Sequence, residues 1–343
     1  MLTVTICATS SYAYAMRSQA YRVVKNIEVY RGAKAILIIN DGSPTLAQVV
    51  EFYRAIAPNC RVENIVVKDL KEGEKSYSQG AQTIIAKMRQ AAFDRARALK
   101  SNLCWSLDSD VIPPDNALRC MIGMLAFDDG YYSVSTCPYA NKSFLGGFGT
   151  PENHILPDYL PKERKLPDDL KAELEANDAE LKRFNESKTA PTDEAKARWA
   201  ETSAKIDKCD PDGTLWEVIA KYGWRRRGWM ETCYPGIGLG SVVPIDWCGF
   251  GCTLMNYHAL ALANFKDYTA QGTEDLFICW KRWHPAGLRI NAITHCVCDH
   301  IIWAKKSDET SDEYTLYKAY HEPDGECRGH LRTKQIPWTP ETW

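Results

Sequence analysis

Two aspartates stand two positions apart, Asp108-Ser109-Asp110, directly after the apolar run Leu103 to Leu107. On an extended chain such residues face the same way, so the spacing predicts two carboxylates presented together at the carboxyl end of a buried strand. Like charges repel there unless a hard cation lies between them, and Mg²⁺ or Mn²⁺ takes one or two carboxylates plus phosphate oxygens. The competing reading is a pair of turn and capping carboxylates ahead of Pro113-Pro114. A second acidic pair, Glu274-Asp275, opens a helix-like stretch, where an anion is stabilised and adjacent acids can serve as cap and base, or are ordinary first-turn acids. Asp41 lies in Asn40-Asp41-Gly42-Ser43, turn chemistry in any fold. Gly249-Phe250-Gly251, after Asp246-Trp247, permits close backbone approach at its glycines, with its aromatics as a platform or as core. Trp224-Arg225-Arg226-Arg227-Gly228-Trp229 interleaves aromatics with cations, as for a phosphorylated or nucleic-acid ligand, or forms a surface turn. Cys296-x-Cys298 beside His300 invites zinc, but no Cys-x-x-Cys pair accompanies it and the spacing argues against that ion. Taken alone, His300 reads as a structural histidine near a strand end.

The elements that must carry these residues follow from periodicity. Leu2, Val4 and Ile6 recur with period two and predict a strand, whereas Met16, Ala20, Val23 and Ile27 share one face of a helix. Ala35 to Ile39 and Val62 to Val67 predict further strands, with a helix face of Leu46, Val49, Tyr53 and Ile56 between them. A long helix through Ile84, Met88, Phe93, Ala96 and Leu99 leads into the strand that ends at the aspartates. Leu118, Met121, Ile122 and Leu125 predict a helix and Tyr131 to Thr136 a strand. Alternating strands and helices imply a parallel sheet covered on both faces, which binds ligands beyond the carboxyl ends of its strands. From Pro157 to Asp210 the chain turns highly charged with weak apolar periodicity, predicting a solvated helical insertion that acts as a spacer or lid. Farther on, Ile245 to Cys248 and Leu288 to Thr294 predict strands, and Tyr257 to Phe265 and Glu274 to Trp283 helices; the tail from Ser307 carries no clear pattern.

Composition sets the limits. Of 343 residues, 45% are apolar and 25% charged, which excludes disordered, collagen-like and disulfide-miniprotein classes. Forty-two basic against 44 acidic residues leave a net charge of −2, so a nucleic-acid contact requires a local patch rather than a global field. Thirteen cysteines cannot all pair, and several fall on apparent core elements, which predicts reduced thiols in a cytoplasmic, soluble protein. No signal-like stretch opens the chain and no apolar run is long enough to span a bilayer.

In order and spacing these pieces resemble the glycosyltransferases of GT-A fold, especially the family 2 group. The resemblance rests on Val4-Thr5-Ile6, Ile39-Asn40-Asp41-Gly42-Ser43, Arg89 in Lys87-Met88-Arg89-Gln90, Asp108-Ser109-Asp110 and Val111-Ile112-Pro113-Pro114. It continues through Gly249-Phe250-Gly251-Cys252, Gly272-Thr273-Glu274-Asp275 and His300, and covers about Val4 to Ala140 and Pro244 to Trp303. It implies an α/β fold, a mostly parallel sheet flanked by helices, with the charged helical insertion added. Residues 1–140 would form the nucleotide-sugar half, 141–240 the insertion and acceptor-side region, 241–305 the acceptor and catalytic half, and 306–343 a tail. The activity implied is metal-dependent, inverting transfer of a sugar from a nucleotide diphosphate, UDP favoured, to a hydroxyl of a glycan, a protein or a modified DNA base.

By the same resemblance Asp110 would bind the ion directly, and Asp108 would reach it or the ribose. His300 would add a softer ligand that suits Mn²⁺ better than Mg²⁺. Thr9, Asp41, Arg89 and Ser109 would join Asp108 around the nucleotide sugar, with Asp41 at uracil or ribose and Arg89 either near the diphosphate or base or solvated on its helix. Asp275 would be the base that takes the acceptor proton, with Glu274 positioning it. Trp247, Gly249, Phe250 and Gly251 would line the acceptor. A sugar nucleotidylyltransferase would need a Gly-rich, Arg-containing loop where Ala8-Thr9-Ser10-Ser11-Tyr12 stands. A dinucleotide oxidoreductase would need Gly-x-Gly-x-x-Gly after the first strand, and Gly236-Ile237-Gly238-Leu239-Gly240 precedes no helical pattern. A non-catalytic glycan- or nucleic-acid-binding relative would have lost the acidic pairs, which this chain keeps.

Overall fold

The computed structural model describes residues 1–68, 79–126, 132–139, 148–149, 167–187, 189–209, 242–245, 247–270, 273–306, 314–322 and 330–336. The Trp224–Trp229 cluster, the Gly236–Gly240 run, Asp246 and Gly272 lie outside them. The chain divides into two units, Met1–Pro151 with Arg225–Trp343, and Glu152–Trp224.

In the larger unit the first segments alternate as expected. Strand β1 (Leu2–Ala8) is followed by helix α1 (Met16–Ile27), β2 (Lys34–Asn40), α2 (Pro44–Ile56), β3 (Arg61–Val66), α3 (Gln79–Ala98) and β4 (Leu103–Asp108). Both faces of β1 and β2 are buried, the signature of a parallel sheet sandwiched by helices, and only the edge strand β3 alternates toward solvent. The Ser43 hydroxyl accepts from Leu46 N–H to cap α2, with Pro44 at the first helical position, which is why the Asn40–Ser43 turn stops β2 so sharply. Then come β5 (Val111–Ile112), α4 (Ala117–Ala126), β6 (Val134–Thr136) and β7 (Phe148–Gly149).

The smaller unit holds the predicted charged helices, α5 (Asp168–Ser187) and α6 (Asp193–Cys209). They pair through Phe184 edge-on to Trp199, Asn177 donating to Thr202, and a two-pronged Arg198–Glu180 contact, with little apolar burial beyond Leu170, Ala195 and Ile206.

The larger unit resumes with β8 (Val242–Ile245), β9 (Trp247–Cys248), β10 (Cys252–Asn256), α7 (Tyr257–Leu262), α8 (Glu274–Ile278), β11 (Ile290–Ile293), β12 (Asp299–Lys306), β13 (Tyr314–Glu322) and β14 (His330–Ile336). The main sheet runs β3-β2-β1-β4-β10-β6-β11-β8, with β10 and β8 antiparallel to their neighbours and the rest parallel. This is the mostly parallel, helix-flanked α/β sheet that the pattern predicts.

Several expectations are corrected in detail. The glycine-rich segment leads into β10, a central strand, before any helix begins; its five residues are nearly all buried, so no alternation betrays it. Helix α7 stops at Leu262 rather than Phe265, and α8 gives way at Cys279 to a π-type turn through Trp283. The patternless tail supplies β13 and β14 of a second, antiparallel sheet, β14-β13-β12-β5. Through β5 that sheet is joined to the turn after β4. Among the described residues no helix is long and apolar enough to cross a membrane.

Candidate active site

Helix α3 packs on β1 and β2 with Met88, Ala92, Phe93 and Ala96 buried, and that face carries one charged residue inward, Arg89, 3% exposed. Its Nε donates to Glu274 Oε1 at 2.9 Å, Nη1 to Ser106 Oγ at 3.1 Å and Nη2 to Asp108 Oδ1 at 2.7 Å. The guanidinium also lies over the Phe250 ring, 5.0 Å from its centroid. Each guanidinium nitrogen is thus engaged inside the protein. Arg89 is neither a solvated helix residue nor a group that reaches for a diphosphate; it joins the end of β4 to the start of α8.

This clamp leaves a surplus of acid. One guanidinium faces Asp108 and Glu274, with Asp275 close by. Burial, then the neighbouring Asp275 charge, pushes the Glu274 carboxyl up to about 7, against the lowering effect of Arg89. Burial also raises Asp275, opposed by hydrogen bonds to its Oδ1 from the Thr273 hydroxyl and from Leu276 N–H, the latter at 2.7 Å. No hydrogen bond among the described residues engages Asp275 Oδ2.

The two aspartates of the Asp-x-Asp pattern part company. β4 ends at Asp108 and the next two residues turn, so Asp108 points to Arg89 while Asp110 meets His300, Nε2 to Oδ2, at 3.5 Å. β4 stops two residues short of Asp110, so the two carboxylates are presented from a strand end and the turn that follows it rather than from one extended strand. His300 is delivered by sheet pairing: it lies opposite Val111, and Ile301 N–H donates to the Asp110 carbonyl at 2.8 Å. Oxygen and nitrogen ligands at about 2.1 Å from one octahedral ion lie about 3 Å apart when adjacent, so the Asp110–His300 spacing fits a shared divalent cation. The excess of carboxylates fits it too.

Sequence reasoning missed three residues that hold this corner. Gln19 Nε2 donates to the Asp108 and Val111 carbonyls at 2.5 and 2.6 Å, fixing the turn from below. Asn26, on the same helix face, donates to the Pro114 carbonyl and accepts from Leu118 N–H. Both occupy positions on the apolar stripe of α1 where a polar side chain stands out, and that was the available signal. Tyr139 sits edge-on to His300, ring centroids 5.3 Å apart, and its hydroxyl lies where a Cβ on residue 251 would come within 2.6 Å. Glycine at 251 is required by that close approach. Burial, then the Asp108 and Asp275 charges, holds the Tyr139 phenol well above its ordinary value, so it stays protonated.

The remaining candidates are placed as follows. Asp41 Oδ1 accepts from Ser43 N–H at 3.0 Å, the Asx-turn geometry its sequence admits. Thr9 precedes the short 3₁₀ turn Ser10–Ala15 with no capping bond from its side chain. Ser109 is buried in the turn. Trp247 is buried on β9, opposite Gly149, and the Gly249 carbonyl accepts from the Thr253 hydroxyl at 2.7 Å. Phe250 is 1% exposed, edge-on to Phe93 and Trp283. Its expected place as an acceptor platform is corrected: the ring is core beneath Arg89.

Fold and site together define an α/β protein with an acidic, arginine-clamped corner beyond the carboxyl end of a parallel strand. No known family profile matches the chain, and no curated protein matches it. Among solved structures it is similar to A197 from STIV, with 12% identity over 88% of this chain and 87% of that one, at a TM-score of 0.39. It is also similar to GalNAc-T7 with UDP, GalNAc and Mn²⁺, with 10% identity over 91% of this chain and 46% of that one, at a TM-score of 0.43. A third is the mannosyltransferase PcManGT from Pyrobaculum calidifontis in complex with GDP-Man and Mn²⁺, with 11% identity over 40% of this chain, at a TM-score of 0.28. The chain thus spans under half the length of GalNAc-T7 and about a third of PcManGT, 46% and 34%.

Proposed function

We propose that the chain is a glycosyltransferase that moves a sugar from a nucleotide diphosphate, a UDP-sugar first among candidates, to a hydroxyl acceptor with divalent-cation assistance. The observation that carries this reading is the acidic corner itself. Asp110 and His300 face each other at 3.5 Å, beside an Asp108 already oriented by Arg89. Asp110 and His300 would hold the ion, with Asp108 toward ion or ribose. When bound there, Mn²⁺ or Mg²⁺ supplies Lewis-acid stabilisation of the charge that develops on the departing diphosphate.

The chain's own residues account for the rest. Arg89 fixes Asp108 and Glu274 in one rigid unit, so the donor side and the acceptor side keep a set distance. Asp275 takes the acceptor proton through Oδ2 as the acceptor oxygen attacks the anomeric carbon. Its raised carboxyl is a stronger base than an ordinary aspartate. A dedicated base implies attack opposite the leaving group and inversion of the anomeric centre. Asp41, Thr9 and Ser109, near the ends of β2, β1 and β4, are the proposed nucleotide contacts. Trp247, Gly249 and Gly251 belong to the proposed acceptor side as backbone and structural elements, not as a stacking surface.

The test is a thermal-shift screen of UDP- and GDP-sugars with and without Mn²⁺, followed by release of nucleoside diphosphate. A ligand that binds only the native state at about 100 times its Kd adds about 2.7 kcal/mol of stability. A Mn²⁺-dependent shift with one donor is expected. No shift with any nucleotide sugar, in the presence of either ion, rejects the proposal.

A further inference from the structure

The core behind the candidate active site contains a feature that sugar transfer does not use. Cys137, Cys252 and Cys298 are all buried, and their sulfurs lie within 4.8 Å of one another. Cys296, also buried, turns its thiol to Asn116 Oδ1 at 3.9 Å and adjoins Cys120 and His295. Cys137 follows β6, Cys252 opens β10, and Cys296 and Cys298 precede β12, so the thiols converge from segments far apart in sequence. That is why the Cys296-x-Cys298 spacing alone argues against a metal: it shows only half of the arrangement.

Backbone hydrogen bonds fix this convergence. Cys137 N–H donates to the Cys252 carbonyl at 3.0 Å, and Cys298 N–H to the Pro138 carbonyl at 2.8 Å. A single buried cysteine behaves as a small hydrophobe, but here sulfur faces sulfur where neighbouring core positions are filled by Leu, Ile and Val. None of these four cysteines is disulfide-bonded. A second observation points into the cluster. The buried Trp105 indole N–H, on β4 where it pairs with the strand that Cys252 opens, has no hydrogen-bond acceptor among the described residues, so a buried donor is left open there.

We propose that Cys137, Cys252 and Cys298 bind one zinc ion, and that Cys296, which adjoins this triad but lies outside its 4.8 Å span, swings in as the fourth thiolate to close a tetrahedral site. Tetrahedral thiolates at about 2.3 Å from zinc place sulfurs about 3.8 Å apart, within the span observed. The compactness of the triad selects a single ion. Zinc displaces the thiol protons to solvent, so binding weakens in acid. Half-exposed Cys120 and exposed His295, next to Cys296, give the ion a route inward. The ion would anchor three strand ends. Tyr139, two residues from Cys137, and His300, two from Cys298, would then be held in register, making the site a structural brace for the acidic corner. This inference rests on the cysteine geometry and not on the sugar-transfer reading.

The full chain, purified under reducing conditions with no added metal, is analysed for elemental content and then exchanged with Co²⁺. Stoichiometric zinc, thiolate-to-cobalt charge-transfer bands and a lowered Tm after strong chelation are expected. Cys252→Ser and Cys137→Ser should lose the bands, while Cys120→Ser keeps them. Should those variants fail to fold, the wild-type cobalt spectrum and the chelator effect on Tm decide alone. A folded chain without metal that takes up cobalt without thiolate bands overturns the proposal. So does a disulfide between any two of the four cysteines.

Discussion

Replacing Arg89 by Met removes a cation that is 3% exposed and is shared by Asp108 and Glu274, while roughly preserving the volume of its stem. Breaking a buried ion pair by deleting one partner costs about 3–5 kcal/mol, because the other charge stays buried without compensation. The loss should depend on pH in a direction the site fixes. In the wild type Glu274 is raised from 4.5 to about 7, so between those values the native state binds more protons than the unfolded chain. Stability contributed by this group is therefore highest at low pH and falls as pH rises through that window, by up to about 3 kcal/mol at about 1.4 kcal/mol per pH unit. Arg89 opposes the rise, so its removal lifts Glu274 further and extends the window upward. Urea denaturation of wild type and Arg89→Met near pH 5 and pH 8 measures this. The variant should lose far more stability at the higher pH, since Glu274 carries its proton in both proteins at the lower. A deficit under about 1 kcal/mol, or one equal at both pH values, would refute the buried charge clamp.

Other consequences can be checked with single variants. Asp110→Asn should keep the fold and its Tm but lose the Mn²⁺-dependent part of donor binding, read by calorimetry; wild-type metal dependence would remove Asp110 as a ligand. Asp275→Asn should bind donor normally and lose transfer by about 10²–10⁴-fold, the range of a general base, and retention of both binding and turnover sinks that assignment. Gly251→Ala drives a methyl against the buried Tyr139 ring, 2.6 Å from its hydroxyl oxygen. It should cost about 1–3 kcal/mol in urea melts, and a neutral result would show that Tyr139 moves aside freely.

Much of the frame was legible because strands and helices alternate with clear periods, and because the Asn40–Ser43 turn and the polar stop after Leu107 mark where strands end. What escaped has physical reasons. β10 is buried along nearly its whole length, so its pattern is a short apolar run that a helix could equally show. That β4 stops two residues short of Asp110 was hidden, because the turn there is held by Gln19 from a helix far off in sequence. Arg89 was singled out, but its clamp was hidden because its partners lie 17 to 185 residues away. The cysteine cluster is wholly a product of tertiary convergence. Asp41, by contrast, sits in the turn its own sequence dictates, where local hydrogen bonding settles the geometry.

The pairing of β5 with β12 has a temporal side. Arg89, Asp108 and Asp110 leave a ribosome well before Glu274 and His300, which lie far later in the chain. Until then the guanidinium lacks one carboxylate partner and Asp110 lacks its imidazole. The acidic corner therefore closes only once contacts spanning nearly two hundred residues zip into place.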